Sequence, residues 1–130
     1  MLVAAELASL VINESVDEQQ IVLKELEGDR SLTLYVGIFE ALALDVALKN
    51  KAGPRPLTHT LCYQALAAVG ANVSRVTIHS QCEDIFFASL ELQSEHGLIE
   101  VDARPSDALA LALISESPVF VESDLLEEEP

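Results

Sequence analysis

The stretch Val101-Asp102-Ala103-Arg104-Pro105-Ser106-Asp107-Ala108-Leu109-Ala110-Leu111-Ala112-Leu113 sets a strand against a helix and gathers an arginine and two carboxylates at their junction. Ile99 and Val101 alternate with Glu100 and Asp102, the periodicity of a strand. Pro105 stops that strand, Ser106 is placed to cap the free N–H groups of an Ala/Leu-rich helix, and Asp107 falls in the helix's positive first turn. Capping and propensity account for Pro105, Ser106 and Asp107 without any chemistry. They do not account for Arg104, which either neutralises Asp102 and Asp107 or forms with them a contact point for an anion and a metal ion.

Working outward, a shift of 67 residues lays the chain on itself without a gap. Ala41-Leu42-Ala43-Leu44 falls on Ala108-Leu109-Ala110-Leu111, Asp17 on Asp84, Leu23 on Leu90, Leu34 on Val101 and Val11 on Ile78. Each half then reads strand, strand, strand, helix. The first-half strands are expected near Ala4 to Asn13, Gln20 to Leu26 and Leu32 to Val36, with a helix over Glu40 to Lys49. Their counterparts are Val73 to Ser80, Phe86 to Leu92, Leu98 to Ala103 and a helix over Ser106 to Ser115. Glu27-Gly28-Asp29 and Glu95-His96-Gly97 close equivalent hairpins. Between the halves Gly53-Pro54-Arg55-Pro56 forms a rigid loop, and Thr58 caps a third helix with Leu61, Ala65, Leu66 and Val69 on its apolar face and Gly70 at its end. Pro118 to Val121 is a last short strand. The pattern predicts an α+β fold: duplicated strand-strand-strand-helix units forming a curved mixed sheet or barrel-like core packed by three helices, in one domain over residues 1–124 with a frayed acidic tail over 125–130.

The 130 residues suffice for one core, and with half of them apolar but only 5% aromatic that core is built from Leu, Val, Ile and Ala. No apolar run approaches the ~20 residues of a membrane span, and no basic leader with a cleavage pattern opens the chain, so a cytoplasmic protein is expected. Cys62 and Cys82 lack CxxC spacing and read as buried thiols rather than a disulfide or zinc site. The formal charge of −15, with only seven Lys and Arg, argues against a broad electrostatic grip on nucleic acid. Their placement matters, because no Asp or Glu lies between Val46 and Cys82 while Lys49, Lys51, Arg55, His59, Arg75 and His79 do. An anionic partner is expected there, unless the stretch merely balances neighbouring acids.

No GxSxG, P-loop, HExxH, GxGxxG or paired CxxC is present. The remaining constellation is spatial: Glu40 and Asp107 hold equivalent first-turn positions, Asp102 ends a strand beside one of them, and Arg55 and His59 enter the intervening helix. Carboxylates hold Mg²⁺ or Mn²⁺ through oxygen, the ion activates water, and Arg steadies a phosphate, a set suited to phosphodiester hydrolysis. Asp102, Asp107, Glu40 and His59 are then the catalytic candidates, with Asp102 and Asp107 as metal ligands. Arg55, Arg104 and Lys51 are the substrate contacts, and Ser106 and Thr58 the helix caps. Each also has a plainer reading, as a helix-dipole charge, a cap or an exposed first-turn residue. His79 and His96, on a strand and in a turn, are not expected to be catalytic. The Ala/Leu helices are apolar around much of their girth and must be covered, which favours a homo-oligomer.

Asp102-Ala-Arg-Pro-Ser-Asp-Ala-Leu-Ala-Leu-Ala-Leu113, Pro54-Arg-Pro-Leu-Thr-His59 and Gly37-Ile-Phe-Glu-Ala41 resemble the three hallmark blocks of the bifunctional nuclease domain family, with their spacing preserved from about Leu7 to Val121. The resemblance implies an α+β domain that self-associates and a nuclease acting on DNA and RNA, an activity that stems from plant members. Residue by residue it covers Glu40, Arg55, Thr58, His59, Asp102, Arg104, Ser106 and Asp107. Where the family commonly has Asp after the His this chain has Thr60, which removes a ligand or orienter for His59. Where the final helix commonly continues with Arg it has Ile114, which removes a phosphate contact. A metal-assisted nuclease is the first expectation. A non-catalytic oligomeric binding or assembly module, with the Asp-Ala-Arg-Pro-Ser-Asp motif fixing the strand-helix junction, is the second, and a small-anion sensor built on Arg55 and Arg104 the third.

Overall fold

The computed structural model describes residues 1–50 and 53–128. β1 (Leu2–Val11), β2 (Gln19–Glu25) and β3 (Arg30–Val36) form an antiparallel meander that leads into α1 (Ile38–Lys49). After α2 (Thr58–Ala68), β4 (Asn72–Cys82), β5 (Ile85–Ser94) and β6 (Gly97–Ala103) form a second antiparallel meander leading into α3 (Pro105–Ser115). β7 (Val119–Glu122) then enters between the two meanders, antiparallel to β1 and parallel to β4, and β8 (Glu127–Glu128) closes on β3. The result is one mixed eight-stranded sheet in the order β6-β5-β4-β7-β1-β2-β3-β8. The fold is α+β, as the sequence predicts. The sheet is open, with β6 and β8 at its edges, so the closed-barrel alternative falls. The 67-residue shift carries β3 onto β6 and α1 onto α3 with matching first residues.

The core lies between the sheet and the helices, with Ile21, Leu23, Val76, Ile78 and Val121 from strands and Leu44 and Leu109 from helices fully buried. α3 packs on β4 and β5 and is flanked by α1 and α2. That explains its unbroken Ala/Leu composition: Ala108, Leu109, Ala110, Leu111 and Ala112 are all buried within this one chain, so α3 needs no second subunit to cover it. α2 is peripheral and buries no residue fully. Its inner contacts come from Tyr63 and Leu66, whereas Leu61 and Val69, expected on the apolar face, are exposed. Gly70 does end α2: at φ +83 it lets its own N–H reach Ala67 O and the Ala71 N–H reach Leu66 O, the paired bonds of a left-handed C-terminal stop.

Other expectations are corrected. Neither expected cap caps. Proline fits the first helical position best because its missing N–H is not needed there, so Pro105 moves the cap to Arg104, and Ser106 turns inward from the second position. α2 likewise starts from an extended Leu57, leaving Thr58 as its first helical residue. The acidic tail is not frayed through Glu128, since Leu126 is buried in the core and anchors the Glu127–Glu128 pairing with β3. Cys62 and Cys82 are free thiols, and both are exposed rather than buried, on peripheral α2 and at the β4 hairpin end. Among the described residues no helix is long and apolar enough to cross a membrane.

Candidate functional site

α1 and α3 start side by side, and each puts an acid in its first turn, Glu40 and Asp107. Two negative charges near two positive helix ends are each favourable, but they need a cation between them. Arg104, at the cap position of α3, supplies it. Its Nε–H donates to Asp107 Oδ2 at 2.8 Å, one Nη2–H to Asp107 Oδ1 at 3.2 Å, and one Nη1–H to Glu40 Oε1 at 3.1 Å. Gly37, the residue before α1, leaves room for this, because a Cβ there would stand 2.6 Å from Glu40 Oε2.

His59, in the first turn of α2, completes the group with Nε2 at 2.8 Å from Asp107 Oδ1. Burial pushes the Asp107 carboxyl up, but hydrogen bonds and charge from Arg104 and His59 outweigh it and hold the group below the ordinary aspartate range. Asp107 is therefore ionised at neutral pH and can only accept, so the shared proton resides on His59 Nε2. In its neutral form the imidazole so bonded carries its lone pair on Nδ1. The Arg104 guanidinium is pushed further up, chiefly by its bonds to Asp107. The chain Glu40–Arg104–Asp107–His59 thus lines a cleft of about 620 Å³ between α1, α2 and α3.

That cleft also contains two aromatic side chains the sequence reading did not single out. Phe39, 81% exposed, stands at the start of α1, and Tyr63 lies one turn after His59 on α2. The signal for Tyr63 was present, since residues four apart on a helix share a face. An aromatic beside a charged network in a chain with so few aromatics was the signal for Phe39.

The other candidates lie elsewhere. Asp102 is exposed on β6, opposite Ser89, and does not line the cleft. Arg55 is exposed in the loop before α2 and makes no ion pair among the described residues. Lys51 lies outside the described residues. The expected cationic stretch is locally neutralised in part, with Lys49 paired to Asp45 and Arg75 to Glu91. For a divalent ion the donor set fits poorly as arranged: both Asp107 oxygens and one of Glu40 are engaged, and among the described residues no group of three or more His, Cys, Asp or Glu side chains is placed to hold a metal.

Residues 21–130 match the bifunctional nuclease domain. An uncharacterized protein of Mycobacterium tuberculosis is 35% identical over 115 residues, covering 88% of this chain and 68% of that protein. Bifunctional nuclease 1 of Oryza sativa subsp. japonica and a bifunctional nuclease of Oryza minuta are each 29% identical over 116 residues, which is 86% of this chain but 35% of theirs. The motif that builds the Arg104 junction, the His59 segment and the Glu40 segment all fall inside the matched region, and the chain belongs to the bifunctional nuclease domain family.

Proposed function

We propose that the α1–α2–α3 cleft hydrolyses phosphodiester bonds of nucleic acid, with His59 as general base and Arg104 as phosphate contact. The observation that carries the reading is the His59–Asp107–Arg104 arrangement. Asp107 fixes the imidazole with Nδ1 as its basic atom, and two of the five guanidinium N–H groups of Arg104 remain beyond those given to Asp107 and Glu40. Those donors suit two phosphate oxygens. A water oxygen forms the new bond to phosphorus as His59 Nδ1 takes its proton, and the departing sugar oxygen is protonated from solvent. Thr60 stands where the family commonly has an Asp, and Asp107 serves as the orienter instead. Family membership and the names of the rice relatives support the reaction class.

One observation favours the second reading, a non-catalytic assembly module: three Arg104 donors already bind carboxylates, which by itself fixes the junction of β6, α3 and α1. Cleavage of end-labelled single-stranded DNA and RNA separates the two. The catalytic reading expects turnover that falls about a hundredfold or more in His59→Ala, with the fold retained. Cleavage equal in His59→Ala and wild type contradicts it, and absence of cleavage with and without Mg²⁺ or Mn²⁺ leaves the assembly reading.

A further inference from the structure

A second, larger cavity of about 1170 Å³ opens on the other side of the Glu40–Arg104 pair, which lines both spaces. Its walls are two strand segments that each lack a ladder partner on one side. β8 covers β3 only at Arg30 and Ser31, leaving the edge from Leu32 to Val36 unpaired among the described residues. β6 covers β5 only from Ala88 onward, leaving Ile85 to Phe87 unpaired on that edge. Leu32 to Val36, Ile85 and Phe86 all line the cavity. Unpaired N–H and C=O groups along a strand edge are a template for an added strand.

Two further features indicate what such a strand contains. The rim carries Asp17, Glu18, Asp84, Glu127 and Glu128, all exposed and none in an ion pair among the described residues. Inside, Ser106 is only 6% exposed, yet its hydroxyl has no hydrogen-bond partner among the described residues and lines the cavity. No fully buried side-chain polar atom lacks a partner among the described residues, so this hydroxyl reaches the cavity and is free to bond a guest's backbone or side chain there.

We propose that this cavity is a docking site for an extended, Lys/Arg-rich segment of a partner protein, which adds as a strand to the β3 edge. Five residues from Leu32 to Val36 offer ~17 Å of edge. Alternate side chains of the guest then face the rim carboxylates and the apolar floor of Leu34 and Phe86. A second copy of this chain has only seven Lys and Arg and offers no Lys/Arg-rich strand to this rim.

Fluorescence anisotropy at physiological salt tests the proposal with a labelled Lys-Val-Lys-Val-Lys peptide, the same peptide N-methylated at alternate backbone nitrogens, and spermine as competitor. The expected result is saturable binding of the parent peptide. N-methylation, or the combined change Asp17→Lys, Asp84→Lys and Glu127→Lys, weakens it about tenfold or more. Ser106→Ala, which removes a hydroxyl that makes no hydrogen bond among the described residues, weakens it measurably with the fold retained. Equal binding of the N-methylated peptide, displacement by spermine at matched charge concentration, indifference to the charge reversals, or no saturation overturns the proposal.

Discussion

Removing Asp107 breaks the junction that the site is built on, and its cost can be worked from the geometry. Arg104 holds the carboxylate by two nitrogens, at 2.8 and 3.2 Å, with side-chain exposures of 63% for Arg104 and 32% for Asp107. Two-pronged contact puts the pair at the top of the range for exposed ion pairs, and solvent keeps it well short of a buried one, so the coupling is about 1 kcal/mol. Asp107→Ala also removes the His59 bond and a favourable charge at the α3 N-terminus, each worth about 0.5 kcal/mol at this exposure. The single substitution therefore costs about 2 kcal/mol, a Tm loss of about 8 °C for a domain of this size. Urea denaturation of wild type, Arg104→Ala, Asp107→Ala and the double variant isolates the pair. A coupling below about 0.3 kcal/mol would refute the two-pronged Arg104–Asp107 pair as the tie that holds the junction.

Three other outcomes follow from the same groups. The folded-state pKa of Asp107 lies below the ordinary 3.8, so its contribution is complete above that value and disappears as pH falls through the lower folded value; urea midpoints between about pH 5 and pH 2 should fall less steeply in Asp107→Asn, and equal slopes would refute the depressed pKa. A Mg²⁺ or Mn²⁺ ion taking Asp107 and Glu40 must displace Arg104, so calorimetric Mn²⁺ affinity is expected to rise in Arg104→Ala and vanish in Asp107→Asn; affinity unchanged in both would send the ion elsewhere. The unpaired β6 edge exposes Leu98, Ile99 and Val101, so light scattering at micromolar concentration should give at least twice the 14.0 kDa chain mass, with Val101→Lys lowering it; a single-chain mass contradicts assembly.

The fold was legible because its signals are local. Alternation along Ile99 to Asp102, the Ala/Leu helices and the turn residues determine elements one at a time. What escaped depends on contacts distant in sequence. Ser106 read as a cap because serine before a helix usually is one; the Pro105 preference for the first helical position shifted the frame by two residues. The tail read as frayed because its charge is visible and the single buried Leu126 that holds it is not. In the site, the first-turn equivalence of Glu40 and Asp107 was readable, and so was a role for Arg104. The meeting of His59 with Asp107 across 48 residues was not, whereas the exclusion of Asp102 was legible, because the alternation of Ile99 and Val101 with Glu100 and Asp102 turns it away from the core face.

The most direct test is where a phosphodiester lands. Side-chain ¹⁵N NMR can follow Arg Nε–H and His ring signals during titration with a phosphorothioate dinucleotide that resists cleavage. Arg104 and His59 are expected to shift in a saturable way while Arg30 and Arg75, held by Glu25 and Glu91 outside the cleft, do not. Shifts at Arg30 or Arg75 with Arg104 and His59 unmoved would contradict it.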